Sequence, residues 1–593
     1  MFIPLHVKSD YSLGYGTSGV EELVAGAAAL GYGALALTDL ENLYAQVRFH
    51  HCCRAHGIRP LSGIELRPGF GGERCGGTRG RLLLLAADQA GYAGLCRLVS
   101  RRRGGGGGDP LPAVLQHPEG LYALSDDPAV VERLKDGGFP PERLGMLLPR
   151  PAEPGEERER LQGARRLGVP LVADLDIFLL EPEDQRLHLL QRAVSLGTRV
   201  DMLPPEEAEA VPRFLRPPAE AAALFADLPG ALQETARIAA ACTFELRPLA
   251  PAEEEREAEE ELRRLCREGI AAKGEWSAAH DLRLAAELQI FRRLGFSRLM
   301  LQVGEILAHC RSEGIPVVVR GSAVSSLALH LLGGSSVDPL RHGLLFERFL
   351  HEGKSAWPDV DIDLPWHRRD EVIDWVFRRF GSDRVAMVSA HHTFRLRSAL
   401  REGLKGLGIG AVLAERLARL VPEEDAEAAD FLDIAAAEPP LPAGAVPAEA
   451  LALVRRLVGR PRHLAAHPGG VVICDRPLED ILPLERAPKG VPVTQYDGAS
   501  LERLGLAKID LLGNRCLSEI EEALTLAGWP RPLRLDSVPS DDAATLALLD
   551  RGETIGCFQL ESPAMRSLLA RLPIRAEADI IAALALVRPG AAA

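Results

Sequence analysis

The chain has 593 residues, 47% of them hydrophobic and 26% charged, with a net charge of −14. A length of that order holds about four domains, and no apolar run approaches the roughly 18 residues of a membrane span. The opening Met1-Phe2-Ile3-Pro4 lacks the basic start of a secretory signal. The ten cysteines include no Cys-x-x-Cys pair, which favours free thiols in the cytoplasm over disulfides or structural zinc. The acidic balance also counts against a simple nucleic-acid binder, which is more often basic.

In chain order, Ser18 to Leu30 is Ala-rich with Glu21 and Glu22 in its first turn, which predicts a helix. Gly33 to Thr38 is a short apolar strand ending at Asp39, and Arg81–Ala86 and Val169–Ala173 read as further buried strands. Such alternation predicts an α/β layer or barrel. Arg101-Arg102-Arg103, followed by Gly104 to Gly108, reads as a flexible solvated loop. Seven glutamates between Glu253 and Glu261 read as the solvated face of a connecting helix.

Chemistry concentrates further on. Val317-Val318-Val319 predicts a buried strand running into Arg320-Gly321-Ser322 and an Ala/Leu-rich helix, Ala323 to Leu332. Strand, Gly-Ser and helix start suit a phosphate: glycine lets the backbone approach, serine adds a hydroxyl, and helix-terminal N–H groups point at the anion. Gly-Ser is also an ordinary helix cap. Arg348 lies among the apolar anchors of Leu344 to Leu350. In Pro358-Asp359-Val360-Asp361-Ile362-Asp363-Leu364, strand alternation puts Asp361 and Asp363 on one face and Val360, Ile362 and Leu364 on the other. Adjacent carboxylates on a core strand are costly unless cations meet them. A pair of Mg2+ ions about 4 Å apart does so in phosphoryl and nucleotidyl transfer. An isolated Asp-x-Asp suits a solvated sheet edge equally well.

Residues 393–465 read as a helical insert broken by Pro439-Pro440-Leu441-Pro442. Within it Arg397 and Arg401, one helical turn apart, and Arg395 either line a phosphate groove or face solvent. Strand signals return at Gly470 to Ile473 and continue to Asp510, in Lys508-Ile509-Asp510-Leu511-Leu512-Gly513, before a helical end.

The ordered motifs Arg320-Gly321-Ser322, Val337-Asp338-Pro339-Leu340, Leu345 to Phe349, Pro358 to Asp363, His467-Pro468-Gly469-Gly470, Lys508 to Gly513 and Phe558 to Ser562 resemble the bacterial C-family DNA polymerases. These are the DNA polymerase III alpha subunits and their error-prone, ImuC-type relatives. The resemblance implies a multidomain α/β chain: a PHP-type barrel (1–247), a connector and first palm segment (248–392), a thumb (393–465), a second palm segment (466–520) and the start of the fingers (521–593). It implies a nucleotidyltransferase palm in which Asp361, Asp363 and Asp510 are the catalytic carboxylates and hold two Mg2+ ions. Gly321, Ser322, Arg348 and Lys508 would then bind nucleotide. The expected activity is template-directed addition of deoxynucleotides to a primer 3′-hydroxyl, in replication or error-prone repair. Primer–template DNA and deoxynucleoside triphosphates are the expected partners, with a sliding clamp and other replisome or translesion proteins for a longer parent. A membrane is not expected. The run Arg588-Pro589-Gly590 falls early in that family's fingers, so a fragment or a truncated product is expected. A non-catalytic polymerase remnant is the alternative.

The N-terminus departs from the family's metal-binding PHP pattern. Its expected histidines appear as Lys8, Leu40, Arg81 and Phe178, while His6, Asp39, Glu65 and Asp176 remain. Ammonium and guanidinium groups donate no lone pair and repel cations. A barrel without PHP metals is therefore expected, its residual carboxylates paired with the introduced cations. A PHP phosphoesterase or exonuclease needs the missing histidines.

Overall fold

A computed structural model describes residues 2–67, 80–106, 108–205, 207–208, 211–249, 255–270, 276–353, 357–421, 446–528, 539 and 542–587. The chain divides into two compact units, Met1–Ala250 with Phe377–Lys508, and Pro251–Val376 with Ile509–Ala593.

The first unit begins with a six-stranded sheet in sequential order: β1 (Ala34–Leu37), β2 (Arg59–Leu66), β3 (Leu82–Ala86), β4 (Leu121–Ser125), β5 (Leu144–Pro149) and β6 (Leu171–Asp174). Pairing is parallel except where β3 runs antiparallel to β2 and β4. The extended segment from Pro4 to Lys8 links the two ends. Ala36 and Thr38 donate to the carbonyls of Pro4 and Val7, and Ile177, just after β6, exchanges hydrogen bonds with His6 and Lys8. β3 shows why its sequence is continuously apolar. Leu82, Leu84 and Ala86 pack in one cluster with Tyr92 and Leu95, whereas Leu83 and Leu85 pack in another with Leu5, Leu147 and Ile238. A strand covered on both faces has no place for polar residues.

The same unit holds β9 (Val385–Thr393), β10 (Pro461–Ile473), β11 (Leu484–Arg486) and β12 (Pro492–Asp497), ordered β11-β12-β9-β10. β9 is antiparallel to β10 and parallel to β12. Three helices, Leu396–Gly406, Ala411–Leu420 and Ala448–Arg455, bury Leu400, Leu417 and Val454 against Leu187 and Leu190. Residues 377–508 group with the N-terminal segment, with which they share apolar cores. The Pro439-Pro440-Leu441-Pro442 break and Arg588-Pro589-Gly590 lie outside the described residues.

One expectation is overturned. Arg101 to Arg103 end a helix, Gln89–Arg103, instead of forming a loop. Arg102 is buried in a two-pronged pair with Glu41, Nε to Oε2 at 2.7 Å and Nη2 to Oε1 at 2.9 Å. Glu41 sits in the left-handed region at φ +58°. Its carbonyl accepts from Arg103 and its carboxylate from the Arg67 N–H, contacts that offset the strain of that backbone.

In the second unit, β13 (Lys508–Asn514), β8 (Val360–Pro365) and β7 (Val318–Arg320) lie side by side in that order. The helices Ala278–Leu294, Ser297–Ser312 and Arg515–Leu526 belong to this unit, as do the short later helices Ala543–Asp550, Pro563–Leu569 and Glu577–Leu586. The helix expected over Ala323 to Leu332 is divided into a 3₁₀ turn, Gly321–Ser325, and a short helix, Leu327–Leu331, capped by Ser326.

Candidate active site

Strand register brings the carboxylates together. Val360, Ile362 and Leu364 of β8 are fully buried, so Asp361 and Asp363 share the opposite, partly open face. β13 runs parallel to β8 with Asp510 opposite Asp361. β7 runs antiparallel with Arg320 opposite Asp361. Carboxylate oxygens of Asp359, Asp361 and Asp510 all lie within 4.8 Å of one another.

Asp363 is engaged differently. Its Oδ2 accepts from Asn514 Nδ2 at 3.0 Å, and its Oδ1 lies 3.3 Å from Arg320 Nε. Arg320 Nε is also 3.7 Å from Asp361 Oδ2. Asp361 and Asp510 thus meet, Asp359 joins them, and Asp363 is held at the margin by Asn514 and Arg320. Asp359 follows from the same two-residue alternation that pairs Asp361 with Asp363. Asn514 carried no sequence signal beyond that of a helix cap, which it also is, accepting from the Leu517 N–H at 3.3 Å. Hard oxygen donors converging from two strands match the ligand preference of Mg2+, and like charges this close favour a cation among them.

The glycine of Gly321-Ser322 is required where it stands. Gly321 has φ +71°, and a β-carbon there would lie 3.7 Å from Asp361 Oδ2. The turn that follows therefore starts beside the carboxylates, in a conformation other residues adopt only with strain. Within it Ser325 Oγ donates to the Ser322 carbonyl at 2.6 Å. Arg348 is exposed on the turn Phe346–Arg348, whose Phe346 is buried. Lys508 opens β13.

The first unit has a second polar centre, and here the introduced cations occupy the donors. His6 Nε2, Glu65 Oε2 and Asp176 Oδ1 form a compact group. Lys8 Nζ lies 2.6 Å from that Glu65 oxygen and 3.1 Å from His6 Nε2, and pairs with the same Asp176 oxygen. Arg81 pairs with the other Asp176 oxygen, and Arg67 Nε with Glu65 Oε1 at 2.7 Å. Asp39 stands apart from these cations, accepting from Ser9 and Ser12. Asp174, which the sequence reading missed, accepts from His6 Nδ1 at 3.1 Å. Phe178 and Lys8 are buried.

Titration follows this pairing. Burial and the Lys8 charge oppose protonation of His6, but Asp174 and Asp176 outweigh them and raise it to about 9. Burial opposes ionisation of Glu65 and Asp176 as well. The charges of Lys8 and Arg67 hold Glu65 well below the usual carboxylate range, and those of Arg81 and Lys8 do the same for Asp176. Burial likewise opposes the Lys8 charge, yet Asp176 and Glu65 raise its titration above the usual lysine range.

Three family models match the chain: the bacterial DNA polymerase III alpha NTPase domain over residues 260–513, the PHP domain over residues 4–138, and the bacterial DNA polymerase III alpha subunit finger domain over residues 516–593. The chain is 32% identical to the DNA polymerase III subunit alpha of Bacillus subtilis, covering 99% of this chain and 55% of that protein. It is 34% identical to the error-prone DNA polymerase of Symbiobacterium thermophilum and 35% identical to that of Pseudomonas aeruginosa, each over 99% of this chain and 58% of the relative. The chain thus spans little more than half the length of these curated relatives. Among solved structures, an amidohydrolase from Chromobacterium violaceum is 16% identical over 30% of this chain and 88% of its own, at a TM-score of 0.23. Among the described residues no helix is long and apolar enough to cross a membrane.

Proposed function

We propose, from the premise that the chain belongs to the family of bacterial DNA polymerase III alpha subunits and error-prone DNA polymerases, that its second unit carries the nucleotidyl-transfer site of a DNA-directed DNA polymerase. The observation that carries this reading is the meeting of Asp361 and Asp510 across β8 and β13, with the Gly321-Ser322 turn starting beside Asp361.

In this reading Asp361 and Asp510, with Asp359 or Asp363, hold Mg2+. An ion held by these carboxylates would supply the positive charge needed to activate the primer 3′-hydroxyl and to offset charge on the departing pyrophosphate. Ser322 and the N–H groups of its turn receive the triphosphate, an anion suited to exposed backbone donors. Arg348 and Lys508 add positive charge for phosphate. Arg320 lies between Asp361 and Asp363, which offsets their mutual repulsion. Primer–template DNA and deoxynucleoside triphosphates are the substrates.

Primer extension by the wild-type chain and by Asp361→Ala, each checked for unchanged melting, tests the reading. Extension should require Mg2+ or Mn2+ and fall by about a thousandfold in the variant, the scale expected when a metal ligand is lost. No extension by the folded wild-type chain, or equal extension by the variant, removes the proposal.

A further inference from the structure

The helix Ala278–Leu294 carries a pair that the chemistry above does not use. Glu287 is fully buried, and every direction in which its carboxylate accepts is filled by the protein. Oε1 accepts from the Leu327 N–H at 3.0 Å and from Arg283 Nε at 2.7 Å. Oε2 accepts from Ser326 Oγ at 2.9 Å and from the Ala328 N–H at 3.1 Å. Three of these donors belong to the chain directly after the Gly321–Ser325 turn. Glu287 thus has no acceptor site left for a substrate, and its carboxylate fixes where that turn ends.

Arg283, one helical turn earlier, reaches two segments at once. Its Nη2 donates to the Ser325 carbonyl at 2.9 Å and to the Leu344 carbonyl at 3.1 Å. Its guanidinium lies 5.6 Å from the ring centre of Phe346. Ser325 closes the turn that begins at Gly321, and Leu344 leads into the turn that presents Arg348. One planar guanidinium therefore spans the exit of one candidate phosphate turn and the entrance of the other. The fork lets Nε serve Glu287 while Nη2 serves both carbonyls, a division that a lysine's single nitrogen cannot reproduce.

We infer that Arg283 and Glu287 are positioning residues for the triphosphate. They set the spacing between the Gly321-Ser322 turn and the Arg348 turn, and through it the affinity for an incoming deoxynucleotide. The inference rests on the reading of Ser322 and Arg348 as nucleotide contacts. Neither residue touches the reacting atoms, so the loss falls on ground-state binding: KM for nucleotide rises while kcat is nearly kept.

The test is steady-state primer extension over a range of deoxynucleotide concentrations, with melting recorded for every variant. Arg283→Lys keeps the cation but cannot hold Glu287 and both carbonyls at once in the geometry of the guanidinium. KM for deoxynucleotide should rise about tenfold with kcat within about threefold, as for loss of a contact that aids ground state and transition state alike. Ser326→Ala, which deletes one donor to Glu287 together with the cap of the Leu327–Leu331 helix, should raise KM about threefold in the same pattern and serves should Arg283→Lys not fold. A lowered melting temperature with unchanged KM in either folded variant marks a purely structural role and overturns the inference. A wild-type chain that extends no primer overturns the proposed function and this inference together. An active wild-type chain beside variants of unchanged KM overturns the inference alone.

Discussion

At the scale of single residues, Lys8 shows how a cation can settle among metal-type donors. Its ammonium meets the three atoms that would otherwise form a three-point cation site, from His6, Glu65 and Asp176. That a cation would enter this region was legible in the sequence, because Lys8 and Arg81 stand where imidazoles were expected. Which carboxylates it would meet was not. Asp39 turns to Ser9 and Ser12 instead, and Asp174 reaches His6 from the far end of β6. Only the three-dimensional closure of the sheet makes those contacts. The pairing has a pH signature. Glu65 and Asp176 are depressed, so their stabilisation is present above ordinary carboxylate values and is lost as pH falls. His6 is raised from 6.5 to about 9, so its contribution is complete below pH 6.5 and is lost as pH rises towards 9. Buried His50 and His188 are pushed down by burial to about 3 and about 4, and they add to the acid loss below pH 6.5. On the alkaline side His6 shares the loss with Asp10, raised to about 7, and with buried thiols such as Cys53, Cys96 and Cys242, which burial pushes up and which begin to cost stability near pH 9. Urea unfolding between pH 6.5 and 8.5, below the range of the thiols, should show a decline steeper by up to about 2 kcal/mol in the wild-type chain than in His6→Gln. Parallel profiles for the two proteins would refute this assignment.

At the scale of elements, the alternation of β8 was legible from its pattern, and the register was not. Nothing in the sequence says that β13 pairs parallel with β8 so that Asp510 faces Asp361, since almost 150 residues separate these aspartates and pairing over that distance is decided by the whole sheet. The Gly-Ser motif was read as strand followed by helix. The structure supplies the strand one residue later and a 3₁₀ turn before the helix, because Ser326, with its side chain accepting from the Leu329 N–H, takes the cap position. The long apolar run gave no hint of that interruption. The conformation of Gly321 makes the turn testable. At φ +71°, Gly321→Ala should cost about 1–2 kcal/mol of stability, the penalty of a β-carbon in the left-handed region. If the turn holds the triphosphate, KM for deoxynucleotide should rise as well. Thermal melting and extension kinetics on the same preparation separate the two effects. A variant that melts as the wild type does would show that the turn relaxes freely.

At the scale of the whole molecule, a net charge of −14 stands against binding a polyanion, yet the charge is unevenly spent. Of the three arginines expected to line a groove, Arg397 donates to the Val421 carbonyl, and Arg401 pairs with Glu415 at 2.6 Å. Arg395 is exposed, its backbone N–H capped by Ser398. Spacing in the sequence put Arg397 and Arg401 on one helical face. It could not reveal that neighbouring segments of the insert return to engage them, because that depends on helix packing. The three arginines therefore predict different responses. If primed DNA follows this face, affinity should fall linearly in log–log form with salt, each phosphate contact contributing a slope of about −0.9. Arg395→Ala should weaken binding and reduce the slope by about one contact. Arg401→Ala should change the slope less, because its charge is already opposed by Glu415. Fluorescence anisotropy of a labelled primer–template between about 50 and 200 mM salt reads both quantities. Equal slopes for wild type and Arg395→Ala would move the DNA path away from this insert. Salt-independent binding would deny a phosphate-reading groove in the chain altogether.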